Sequence, residues 1–312
     1  MLMRTSEAKS ERITEKSFFK SKRNVALLAI FYTFLWGTAF PLVKLCMDGF
    51  GISDNMSKCL VAGIRFFISG GALLVYCAKK EPSGIALSKT EAKYVLLYGT
   101  LATAIQYSLT YIGLSRVDGS KGAVFDQLCV FMIIIAGGLF FKDDRLTVKK
   151  VLGCVSGFVG MVAINVEGIG FSFSLGGEGV MILVAVCQAV AYFVAKAASD
   201  KVTAAKLVGY GQFIGGGVLI IFALLAGGRI GALSSVGVIT LVALAAISAV
   251  AYVLSLVPLK YFPASEISVF NLLITVFGIV MSAAVLGENV LRLNYLVSLA
   301  LVSLGIVLVN KK

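Results

Sequence analysis

Apolar runs of roughly 20 residues, each long enough to cross about 30 Å of hydrocarbon as a helix, recur along almost the whole chain. They limit what the chain can fold into more than any motif does, because segments of this kind are dissolved in lipid rather than water. Ten runs qualify: 25–47, 57–78, 94–115, 119–141, 148–166, 178–199, 205–226, 236–259, 264–286 and 294–310. The predicted fold is an all-α polytopic membrane protein with ten transmembrane helices. Composition agrees, since 14% of the 312 residues are charged where soluble domains carry about 25%.

The same composition removes chemistry. A chain with no histidine supplies no imidazole base, metal ligand or proton relay, which excludes serine-histidine hydrolases and HExxH metalloproteases. The six cysteines, Cys46, Cys59, Cys77, Cys129, Cys154 and Cys187, are scattered through apolar segments without a CxxC pair and read as small buried hydrophobes. No GxxxxGK[ST] loop occurs, so ATP hydrolysis does not drive this chain. No cofactor or metal is expected.

The formal charge of +12 is distributed between the apolar runs instead of forming one stripe, so it reports topology rather than nucleic-acid binding. With the N-terminus inside, the inner segments hold 20 Lys and Arg and the outer segments hold 5, namely Lys58, Arg116, Lys121, Arg229 and Arg292. That bias predicts both termini on the cytoplasmic side of the cell (inner) membrane. Residues 1–24 read as a basic cytoplasmic tail in contact with anionic headgroups, not as a cleaved signal peptide, because the apolar run that follows is long and lacks an A-x-A-like site.

Sliding the chain against itself by 145 positions aligns 114–165 with 259–310 without a gap, with identities at Ser120/Ser265, Phe125/Phe270, Leu128/Leu273, Gly160/Gly305 and Asn165/Asn310. The same offset pairs Tyr107 with Tyr252, while Phe40, Lys44 and Arg65 fall opposite Tyr192, Lys196 and Gln212 only at a shifted one. Two five-span halves result, 25–166 and 178–310, together forming one membrane domain. Five is odd, so the halves enter the membrane from opposite sides, as in carriers with a midplane site between inverted repeats.

The first span reads WGTAFPLVK (Trp36 to Lys44), the second AGIRFF (Ala62 to Phe67), and the ninth runs from PASE at Pro263 to LGENV at Leu286. In this order, over ten duplicated spans, they resemble an EamA-type transporter of the drug/metabolite transporter superfamily, from about Asn24 to Lys312. The resemblance implies a substrate path between the two halves, with the fifth and tenth spans peripheral. Two features depart from the family pattern. The fourth and ninth spans lack a central proline (LCVFM at Leu128, LITVF at Leu273), and Asp143 stands where Glu is usual, while Glu288 keeps the pattern.

An ionisable side chain near the bilayer centre costs about 2.5–3.5 kcal/mol, so Lys44, Arg65, Asp126 and Lys196 are singled out. The two lysines lie late in their spans and can snorkel. Arg65 admits two roles, a fork for a substrate carboxylate or phosphate, or a structural clamp on carbonyls or a carboxylate. Asp126, whose repeat partner is Asn271, is a coupling group, half of an ion pair with Arg65, or a residue at the lipid boundary. Gln188, Tyr192 and Lys196 share one helix face, as do Trp36, Phe40 and Lys44. Thr103, Tyr107 and Thr110 form a stripe on the third span, matched by Ser248, Tyr252 and Ser255 on the eighth; such stripes line a pocket or bond between helices. The candidate substrate-binding set is therefore Trp36, Phe40, Arg65, Tyr107, Asp126, Gln188, Tyr192, Tyr252 and Asn271. GxxxG pairs such as Gly153/Gly157 and Gly211/Gly215 point to close helix packing.

The expected function is a secondary active transporter of a small organic metabolite, an amino acid or nucleobase-like compound, using alternating access and a coupling proton or cation, as a monomer or homodimer. A channel or non-transporting sensor is the alternative. A lipid-modifying enzyme is a minor one, disfavoured because the spans hold one clear acid where such chemistry needs a cluster.

Overall fold

In the computed structural model, which describes residues 21–117, 122, 125–165, 173–286 and 293–311, every regular element among those residues is helical. The helices are α1 (Lys22–Gly49), α2 (Asn55–Lys80), α3 (Lys89–Gly99, then π-helical Thr100–Ile105, then Gln106–Leu114), α4 (Leu128–Phe140), α5 (Val148–Asn165), α6 (Leu175–Ala198), α7 (Ala204–Leu225), α8 (Ser235–Lys260), α9 (Ala264–Leu286) and α10 (Leu293–Asn310). Residues 1–20 of the basic tail, most of 118–124 in the fourth apolar run, and Glu288 lie outside the described residues.

Capping explains where the helix of the third run begins. The helix of the third run begins at Lys89, not Tyr94, because Ser88 and Glu91 form a reciprocal capping box that starts it in water ahead of the apolar stretch. Asp54 caps α2 by accepting from the Ser57 N–H at 2.8 Å, and hydrogen bonding by Ser57 holds its carboxyl below the usual carboxylate range. Thr203 and Ser234 cap α7 and α8 in the same way. Large apolar side chains point outward, Leu139 at 82% and Leu225 at 85% exposure among them, which is the surface a bilayer requires and water would penalise. All six cysteines are unpaired thiols, five of them buried.

The packing pattern has two-fold symmetry. Helix α1 packs on α8 and α9, and α6 packs on α3 and α4, while α2 meets α7 and α5 meets α10. Exchanging the first five helices for the last five maps each of these contacts onto another member of the set. Lys22 at the start of α1 donates to Glu266 at the start of α9, and Lys196 at the end of α6 reaches the α8–α9 connection. Thus α1 begins and α6 ends at the same end of the bundle, and the repeats are inverted.

Glycine sets the two interfaces on the symmetry axis. Between α5 and α10, Ser156 Oγ donates to the Leu301 carbonyl at 2.8 Å, two positions 145 apart, and Gly153 faces Gly305. Between α2 and α7 the reciprocal contacts run at an offset of 146: Gly63 lies against Gly216, Gly70 against Gly209, and Phe67 stacks on Phe213 with centroids 4.3 Å apart. This register pairs GIRFFISGG (63–71) with GYGQFIGGG (209–217) and places Phe66, not Arg65, opposite Gln212.

Candidate functional site

Two helices depart from regular α-geometry, and a third carries an internal proline. The π-helical stretch of α3 ends two residues before Tyr107. Helix α9 passes through a 3-10 turn at Val269–Asn271, and α1 carries Pro41, which removes a backbone donor four residues after Gly37. Gly37 lets α1 lie directly on Phe277 and Gly278 of α9.

Four aromatic rings close around Arg65 at this level. Tyr107 and Tyr252, the repeat-related tyrosines of α3 and α8, share a hydrogen bond at 2.9 Å. Trp36 meets Tyr252 edge-on at 4.8 Å, and Phe66 meets Tyr107 at 4.6 Å between centroids. The Arg65 guanidinium carbon lies 5.5 Å from the Trp36 ring centroid and 5.1 Å from that of Phe66, within cation–π range of both. Its Nε donates to Ser248 Oγ at 2.5 Å, and the Ser248 hydroxyl in turn donates to the Leu244 carbonyl at 2.8 Å. Nη2 has no hydrogen-bond partner although it is shielded from solvent.

Asp126 does not pair with Arg65. Its Oδ1 accepts from Gln188 Nε2 at 2.6 Å, joining α6 to the start of the fourth span. Asn271 accepts from the Tyr32 hydroxyl at 3.1 Å, which links the α9 turn to α1. The Tyr192 hydroxyl is buried without a partner, and its ring packs into the apolar cluster nearer the tail-bearing end. Phe40 stands apart: it is 51% exposed and lies over Gly278, away from the four rings. Thr110 and Ser255 bond carbonyls of their own helices rather than neighbours. Of the nine candidates, then, Trp36, Arg65, Tyr107 and Tyr252 form one cluster, Asp126 and Gln188 a pair, and Asn271 a third contact with Tyr32.

Residues absent from that set also matter. Tyr32 is fully buried and precedes Trp36 by four positions, so the helix stripe that selected Trp36 and Phe40 already contained it. Phe66 lies beside Arg65 in the sequence. Ser69 donates to Gln212 Oε1 across α2 and α7, leaving Gln212 Nε2 without a partner.

At the tail-bearing end, polar ties run between the repeats. Lys196 Nζ donates to the Leu259 and Phe262 carbonyls at 2.8 Å each and pairs with Asp143 at 3.1 Å, so it caps a neighbouring helix end instead of snorkelling or lining a cavity. Asp144, fully buried, accepts from the Ser265 N–H at 2.8 Å and from its hydroxyl, and pairs with Lys150 at 2.5 Å. The acid that turns inward is therefore Asp144, whereas Asp143 is half exposed. Lys22 and Glu266 add a third tie at 2.9 Å. The apolar cluster beneath them draws on α1, α3, α4, α6, α7, α8 and α9, so both repeats are packed together at this end.

Residues 23–166 and 175–311 each match the EamA-like transporter family. The uncharacterized transporter YvbV of Bacillus subtilis is 27% identical over 299 residues, covering 93% of both chains. A probable terminal-alkyne amino-acid exporter of Streptantibioticus cattleyicolor is 24% identical over 181 residues, 58% of this chain and 57% of its own. A solved crystal structure superposes with a TM-score of 0.78 at 16% identity, covering 93% of this chain and 97% of the other, which speaks to the fold alone. Two matched halves, an inverted helical architecture and transporter relatives along nearly the full length lead to one assignment: this chain is a membrane transporter and belongs to the EamA-like family of the drug/metabolite transporter superfamily.

Proposed function

We propose that the chain is a secondary active transporter that moves a small organic metabolite across the cell membrane by alternating access, with the Trp36–Arg65–Tyr107–Tyr252 cluster as its substrate site. The observation that carries this reading is the Tyr107–Tyr252 hydrogen bond, because two equivalent residues of inverted repeats meet where the pseudo-two-fold axis crosses the bundle. The polar ties at the tail-bearing end then represent the closed gate. An amino acid is the favoured substrate, in line with the exporter relative and with a site that combines aromatic faces and a fixed cation. Asp126 is the candidate coupling group, since its carboxylate rests on a neutral amide rather than a counter-charge.

Counterflow in proteoliposomes loaded with each proteinogenic amino acid is expected to show saturable exchange for at least one of them. Exchange of none would overturn the amino-acid reading, and unsaturable flux would favour a channel. Asp126→Asn retains an acceptor for Gln188, so folded yield should stay near wild type. Accumulation driven by a proton gradient should disappear while exchange persists, because exchange needs no net proton movement. Unchanged gradient-driven accumulation in this variant would remove Asp126 from the mechanism.

The 20-to-5 distribution of Lys and Arg supports a topology with both termini in the cytoplasm. A reporter fused after Lys312 should be active only in its cytoplasmic form, and activity of a periplasmic reporter there would reverse the topology.

A further inference from the structure

We infer that Arg65 is the receptor for an anionic group, and that the compound handled at the central cluster is a small organic acid whose carboxylate docks on the free edge of this guanidinium. The inference deepens the carrier reading above and rests on it. Arginine stays protonated in proteins and carries five N–H donors in a fixed fork. Here Nε is committed to Ser248, a hydroxyl whose own proton is already directed to Leu244. Nη2 is buried with no partner, on a residue only 8% exposed whose guanidinium carbon lies between the Trp36 and Phe66 rings at 5.5 and 5.1 Å.

A structural clamp would have used that edge on a backbone carbonyl or a carboxylate. Among the described residues no carboxylate forms an ion pair with Arg65, and the Asp126 carboxylate accepts from Gln188 instead. The ring faces of Trp36 and Phe66 offset part of the cost of a buried cation, but they supply no counter-charge. A site left with one unneutralised cation has a place for one anion. A carboxylate suits it because its two oxygens match the planar fork. The walls define the rest of the ligand: Trp36, Phe66, Tyr107 and Tyr252 offer ring faces and edges to an apolar or planar body. The Tyr107–Tyr252 bond uses one of the two hydroxyl protons, leaving the other available to the ligand.

The test uses the full-length protein purified in detergent and three probes: benzoate, its uncharged counterpart benzamide, and chloride. Benzoate should raise the melting temperature in a concentration-dependent way, with benzamide and chloride at equal concentration giving no comparable shift. Arg65→Gln should weaken benzoate binding about tenfold or more, the effect of losing one charge-assisted hydrogen bond. The inference is overturned if benzoate produces no shift, if benzamide matches it, if chloride reproduces it, or if Arg65→Gln binds benzoate as tightly as wild type. Should Arg65→Gln fail to fold, the three-probe comparison on the wild-type protein decides alone. Counterflow of labelled benzoate separates this inference from the reading it rests on. Arg65-dependent binding without counterflow would sink the carrier and leave the anion site standing, whereas amino-acid counterflow with no benzoate binding would sink the anion site alone.

Discussion

Replacing Asp144 by alanine is expected to cost on the order of 3–5 kcal/mol, the range for removing one partner of a buried ion pair. Three groups depend on this carboxylate: the Lys150 ammonium, and the N–H and hydroxyl of Ser265. The first turn of α9 has no cap of its own, because its N-cap is Pro263 and makes no side-chain hydrogen bond. Asp144 therefore caps α9 from the α4–α5 connection and balances Lys150 at once. Thermal unfolding in detergent should show a large fall in melting temperature, and adding Lys150→Met to the variant should recover part of it by removing the orphaned charge. A wild-type melting temperature for Asp144→Ala would show that this network is not what holds the end shut.

The second large effect is expected at the α2–α7 interface. A Cβ on Gly70 would lie 2.3 Å from the Phe213 backbone nitrogen and 2.6 Å from the Gly209 carbonyl oxygen, and backbone atoms cannot swing aside as a side chain does. Gly70→Ala should therefore push the helices apart at a cost of about 3 kcal/mol, the upper part of the range for overpacking. Its neighbour is the control. A Cβ on Gly71 would meet only the Phe213 ring, at 3.7 Å, so Gly71→Ala should be nearly neutral. Gly216→Ala should behave like Gly70→Ala, because the repeat gives it the reciprocal contact with Gly63. Equal effects at Gly70 and Gly71 would contradict the packing described here.

Which parts of this were readable in the residues follows from what each level of structure depends on. The ten spans were, because lipid leaves a crossing segment no choice but a long apolar helix, and the 145-residue repeat carried the inverted architecture with it. The α2–α7 register was not, because matching Arg65 with Gln212 aligned two polar residues and hid the better match of GIRFFISGG to GYGQFIGGG one position away. Position along the span could be assigned to Arg65 and Asp126 from the sequence, but direction around the helix axis could not, so nothing in it showed that Ser248 takes one and Gln188 the other. Between Asp143 and Asp144 the choice rests on how a short connection turns, a backbone property that composition does not record. The π-helical stretch of α3 and the 3-10 turn of α9 are likewise set by packing rather than by local propensity.

The central claim is that two inverted repeats open one end of the bundle as they close the other, and paired distances between spin labels test it most directly. In a background with the six cysteines replaced, one pair of labels sits at Lys142 and Lys260 at the tail-bearing end, and a second pair at Leu286, the last residue of α9, and Ser115 at the other. Lys196→Met should loosen the closed end, because Lys196 joins α6 to both the α4–α5 and the α8–α9 connections. The account predicts that this change lengthens the Lys142–Lys260 distance and shortens the Leu286–Ser115 distance in the same sample. Lengthening at the tail-bearing end with no change at the other, or movement of both pairs in the same direction, would contradict it.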